Sequence, residues 1–157
     1  MISGAFVGGL LGTLVLTTII RTAAEIGLTR MDLALILGTM GTTDRRRARA
    51  VGYGVHLGLG FALAAVYAMV FQRIGWSAWW LGALFGTIHA LFLATVVLNV
   101  LLPVVHPMMG TPETAANESA LIEPPGFLMR NYGQYTLPVL IVSHAAFGAV
   151  VAWAVRI

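Results

Sequence analysis

The chain has 157 residues, of which 59% are hydrophobic and only 10% charged, and its mean hydropathy is +0.88. A soluble domain of this size needs far more surface charge, so these values exclude one and point to the membrane. The chain has no cysteine, which excludes disulfides and thiolate metal or iron–sulfur sites. Its net charge is +3, and its nine basic residues are all arginine, six of them between Arg21 and Arg49. In so apolar a chain that cluster reads as a topology signal, not as a nucleic-acid footprint.

Four apolar runs, at about 2–20, 50–71, 78–102 and 137–155, are long enough to cross the hydrocarbon layer, which takes about 20 residues. The first has no basic region ahead of its apolar core and reads as a retained helix, not a signal peptide. It is expected to continue past Arg21 and Glu25 to a stop at Gly27, where glycine suits a left-handed C-cap. Arg21 and Glu25, one turn apart, should pair.

The first loop contains 29-TRMDLALILGTMG-41, where Thr29 is expected as a helix N-cap and Asp32 as its N3 carboxylate. The apolar run that follows is too short to cross, so a short helix at the membrane interface is predicted. Thr43 or Asp44 is placed to start the second span. That helix then opens on Arg45, Arg46, Arg47 and Arg49, an arrangement that opposes the helix dipole and calls for anionic lipid headgroups. The second loop, 103–136, mixes proline, glycine and glutamate with Phe127, Leu128, Met129 and Tyr132, and is expected to order partly against the bundle.

The fold predicted is an all-α membrane protein, one transmembrane domain over 1–157 built as a four-helix bundle. Arginine collects in the first long loop, and with four spans both long loops share its side, so these are assigned to the cytoplasm and both termini to the outer side. Trp76, Trp79, Trp80 and Trp153 then form an outer aromatic belt. The implied location is a multi-pass position in a cytoplasmic (inner) membrane, among lipids and other membrane subunits or copies of itself. Small residues recur at four-residue spacing: Gly4, Gly8 and Gly12; Gly54 and Gly58; Gly82, Gly86, Ala90 and Ala94; Gly148 and Ala152. Such ridges let helix backbones approach, within the bundle or against a partner.

Histidines inside the spans are the chemical lead. His56 lies seven residues after Arg49 and His144 seven after Leu137, so each sits about 10 Å inside the arginine-side interface. His89 counts as about 10 Å deeper. The expectation is that His56 and His144 pair across the bundle without His89, while Glu25, Asp32 and His106 stay near the interface with Asn99 a turn further in. His106, between prolines, reads as a hydrogen-bonded loop residue. The ridges His56–Gly60–Ala64 and His144–Gly148–Ala152 also match, as two parallel helix–loop–helix halves would.

Two facing imidazoles could ligate a b-type haem, with Gly60 and Gly148 making room for the ring. They could hold a divalent metal with Glu25 or Asp32, lie on a proton or substrate path, or act only as hydrogen-bonded packing between helices. Catalytic motifs are absent. Ser143 beside His144 is not a nucleophile–base pair, because adjacent helical residues point apart.

The segments GLTRMDLALILGTM, GYGVHLGLGFALAAVYAMVF, LGALFGTIHALFL and HPMMG…PPGF…YG…SHAAFG resemble a group of bacterial four-helix membrane proteins known as a domain of unknown function. The resemblance implies a four-helix inner-membrane protein with Asp32, His56, His89 and His144 at characteristic positions, and no activity. The arginine-only, alanine- and glycine-rich usage also fits a bacterial source. The favoured role is an accessory subunit packed on a larger membrane complex. A haem- or metal-binding bundle and a small transporter or proton-path component are the alternatives.

Overall fold

The computed structural model describes residues 2–109 and 122–156. Met1, Ile157 and the middle of the second loop lie outside the described residues. The described residues hold four helices long and apolar enough to cross a membrane: Ile2–Glu25, Arg45–Ile74, Trp79–Val105 and Thr136–Val155. They are named α1 (Ile2–Glu25), α3 (Arg45–Ile74), α4 (Trp79–Phe92) with its continuation, and α6 (Thr136–Val155). The third span continues from α4 through a π-helical segment, Leu93–Leu101, into one last turn, α5 (Leu102–Val105). A short helix, α2 (Leu33–Gly38), lies in the first loop.

The ends follow local chemistry. Gly27 takes φ +80 just after α1, and Gly75 takes φ +72 at the C-cap of α3; side chains other than glycine rarely adopt this conformation. Asp44 starts α3, its carboxylate accepting from the Arg46 and Arg47 amides at 2.9 and 3.4 Å. The α2 cap differs from expectation. Asp32 is itself the N-cap, accepting from the Leu35 amide at 3.0 Å. Thr29 is instead buried, and its hydroxyl meets the Thr136 hydroxyl at 2.7 Å. Tertiary pairing with the start of α6 has taken the side chain that local sequence assigned to a cap.

Helices pack by backbone approach at small residues. A Cβ on Gly12 would lie 2.9 Å from Phe147, and one on Gly8 would lie 3.0 Å from Val151, which seats α1 antiparallel on α6. The Gly82 and Gly86 positions meet the carbonyls of Gly148 and His144, which seats α4 antiparallel on α6 in the same way. Gly60 of α3 meets Thr13 of α1. Each matched ridge of α3 and α6 therefore packs on the spanning helix that precedes it. In the first loop, Gly38 meets the Ala48 carbonyl and Gly52 the Ala34 carbonyl, so α2 folds back tightly along the start of α3. Below these crossings an aromatic core sets Tyr67 edge-on to Phe71, Phe85 and Phe147, with ring centroids 5.9–6.2 Å away.

The two ends of the bundle differ. At one end stand Trp76, Trp79, Trp80 and Trp153, all exposed, with the Arg156 guanidinium 5.1 Å from the Trp153 ring. At the other, the two loops are stitched together. The Arg30 amide donates to the Tyr132 carbonyl at 2.7 Å, the Arg30 guanidinium donates to the Asn131 carbonyl, and Arg30 pairs with Glu123 at 3.4 Å. Met129 and Tyr132 are buried in this knot while Phe127 is exposed. Burial, with Glu123 close by, pushes the Tyr132 phenol above its ordinary pKa despite the opposing pull of Arg30.

Candidate functional site: a histidine cluster and an open glycine ridge

Interhelical register decides which histidines meet. With Gly86 against His144, antiparallel counting sets His89 about three residues, or ~4.5 Å along the axis, from His144. The rings of His89 and His144 lie edge to face, with centroids 5.2 Å apart. The expectation that His89 sits too deep to join is therefore overturned. It assumed that the third and fourth spans share one boundary plane. In fact the third span runs on roughly 15 Å beyond the start of α6, so distance from Pro103 does not measure depth.

His56, on α3, packs against α1. Its Nδ1 is 3.2 Å from the Thr17 hydroxyl of α1, and it is half-buried. Through α1, Thr17 and the Phe147–Gly12 contact put His56 at about the level of His144. The close partner of His144, however, is His89.

His144 is buried, and its Nδ1 lies 2.9 Å from the Leu140 carbonyl. A ring nitrogen at that distance from a carbonyl must carry the proton, so Nδ1 is a donor. The Ser143 hydroxyl donates to the same carbonyl at 2.9 Å, with its Oγ 3.4 Å from His144 Nδ1. The two polar groups thus converge where divergence was expected. They still form no nucleophile–base pair, because the nitrogen facing Ser143 has no lone pair to offer. Two side-chain atoms are buried without a hydrogen-bond partner among the described residues, His89 Nδ1 and Tyr67 Oη. Tyr67 gave no signal in sequence beyond its place after the His56 ridge, since orphaning depends on what three other helices present to it.

The remaining polar candidates stay at the arginine end. Glu25 pairs with Arg21 at 3.2 Å, and Asp32 pairs with Arg49 at 2.9 Å. His106 is buried against α2, with Nε2 donating to the Ile36 carbonyl at 2.9 Å and Nδ1 accepting from the Met108 amide at 3.1 Å. Asn99 lies in the π-helical segment. Neither carboxylate therefore joins the histidines, and no group of three or more histidine, aspartate and glutamate side chains among the described residues could hold a metal. The room expected for a haem ring is filled, by Thr13 beside Gly60 and by Gly82 beside Gly148.

One ridge is open. Glycines 4, 8, 9, 12, 52, 60, 82, 86 and 148 of the spanning helices all sit against a neighbouring helix, whereas Gly54 and Gly58 of α3 have none of the described residues within 4 Å. Ala62 continues their four-residue spacing and is exposed, and Val51, Val55 and Leu59 are exposed beside it. No protein-family model matches the chain, and neither a curated protein nor a solved structure does so.

Proposed function

We propose that this is a small multi-pass membrane protein serving as an accessory subunit, which docks on a transmembrane helix of a larger complex through the Gly54–Gly58–Ala62 face of α3. The carrying observation is that these two glycines, unlike the other glycines of the spanning helices, meet no neighbour among the described residues. Lipid gives little hydrophobic drive for helix association, so a smooth surface that permits close backbone contact is the main means of joining two helices. A helix that only faced lipid would have no need of it. Elsewhere the bundle turns large side chains outward, such as Leu14, Leu84, Ile88 and Val142. In this reading the arginine end faces the cytoplasm of a bacterial inner membrane and both termini face outward, as the distribution of arginine favours.

The test is Gly54→Leu with Gly58→Leu, expressed in the native host and extracted in mild detergent. The wild-type chain should migrate in an assembly well above 16.7 kDa. The variant should migrate as the free chain with an unchanged melting temperature. A wild-type chain already free, or a variant that stays assembled, contradicts the proposal.

A second reading, a proton-path or small-ligand role, is favoured by His89 Nδ1 and Tyr67 Oη alone. Buried polar atoms without partners mark places where water or a small polar guest would bond.

A further inference from the structure

At the arginine end, α3 begins with four arginines in five positions. The structure accounts for two of them. Arg47 pairs with Asp44 at 3.5 Å, and Arg49 pairs with Asp32 at 2.9 Å. Arg45 and Arg46 are exposed and have no carboxylate partner among the described residues. They stand at the positive end of the helix dipole, where a cation is disfavoured. The amides of Arg46 and Arg47 are already taken by the Asp44 carboxylate. An anion here must therefore be held by guanidinium groups and not by the helix terminus.

What lies beneath these groups narrows the anion. Tyr53 follows Arg46 by seven residues, on the same helical face and about 10 Å further into the apolar span. Tyr53 is 40% exposed, and Met40 and Val51 are exposed nearby in sequence. A charged group above an aromatic and aliphatic stem matches an amphiphile, with phosphate at the arginines and glycerol and acyl chain along Tyr53. Free phosphate and nucleic acid would use the charge and leave the stem bare.

We propose that Arg45 and Arg46, with Tyr53 below them, form a binding site for an anionic phospholipid. The lipid phosphate supplies the counter-charge that the described residues do not, and it steadies the tight α2–α3 hairpin. This site requires no partner protein, so its failure leaves the docking proposal standing, and the reverse holds.

The test uses the full chain in nanodiscs of phosphatidylcholine, or of phosphatidylcholine and phosphatidylglycerol mixed three to one. Wild-type protein should melt ~5 °C higher in the mixed bilayer, a gain erased by high salt. Arg45→Gln with Arg46→Gln should lose that gain while melting unchanged in phosphatidylcholine alone. Should the variant not fold, the lipid retained by wild-type protein after detergent extraction is weighed by mass spectrometry, and phosphatidylglycerol should be enriched over its share of the bilayer. No gain for wild type, a gain that survives in the variant, or no enrichment overturns the proposal. An equal gain from inorganic phosphate added to phosphatidylcholine nanodiscs overturns it in favour of a free-anion site.

Discussion

The His89 ring meets the His144 ring edge to face, with centroids 5.2 Å apart and planes 88° apart. This contact ties the third span to the fourth near the Gly86 crossing, while His144 Nδ1 is held by its own helix. His56 contributes to a different seam, between α1 and α3.

A double-mutant cycle separates the two pairings. His144→Ala should cost about 2–4 kcal/mol, because it opens a cavity at a buried helix crossing. Its coupling to His89→Ala should be about 0.5–1.5 kcal/mol, and its coupling to His56→Ala should fall below ~0.5 kcal/mol. Unfolding in mixed micelles by denaturant measures all three. A larger His56–His144 coupling would restore the pairing that simple residue counting suggested.

Glycine replacements should split into two groups. Gly86→Leu drives a side chain into the His144 carbonyl and should destabilise the bundle by about 3 kcal/mol or more. Gly54→Leu faces open space and should change monomer stability by no more than ~0.5 kcal/mol. Melting curves of the two variants in one detergent test this.

His106 holds the end of the third span to α2 through Nε2, while its Nδ1 accepts from the Met108 amide of its own loop. His106→Phe keeps bulk but strands the Met108 amide and leaves the Ile36 carbonyl only the Thr39 hydroxyl, at a cost of about 1–3 kcal/mol. Hydrogen exchange at the Met108 amide should accelerate in step with that loss, and an unchanged rate would contradict the assigned bond.

Tyr132 gives the loop knot a dependence on alkaline pH. Its pKa is raised on folding above the ordinary 10.0, first by burial and then by Glu123. The native state therefore keeps a proton that the unfolded chain gives up, and stability falls as pH rises beyond the unfolded value. From about pH 9 to about pH 11, wild type should lose roughly 1 kcal/mol more than Tyr132→Phe. Parallel losses in the two proteins would remove Tyr132 as the cause.

Much of this architecture was legible in sequence because it is set locally. The apolar runs gave the spans, Gly27 and Asp44 marked helix ends, and Arg21–Glu25 follows from helical spacing. The histidine pairing was not legible, since it depends on how far the third span overshoots the start of α6. Hydropathy cannot supply that number, because Leu93–Val105 is as apolar inside the shared layer as beyond it. Thr29 was misassigned for a related reason. Thr29 and Asp32 both qualify as caps, and only the distant Thr136 decides between them. The roles of the glycines separated in the same way. Gly54 and Gly58 carry the same spacing as Gly82 and Gly86, and only the packed bundle distinguishes a filled ridge from an open one.

The docking claim is tested most directly by photocrosslinking in the native membrane, with a benzoyl-phenylalanine placed in turn at Val55, at Leu59 and, as a control on another exposed face, at Val142. The account predicts that Val55 and Leu59 join one and the same integral membrane protein while Val142 joins only lipid. Lipid adducts alone at all three positions, or protein adducts of equal yield at Val142, would contradict it.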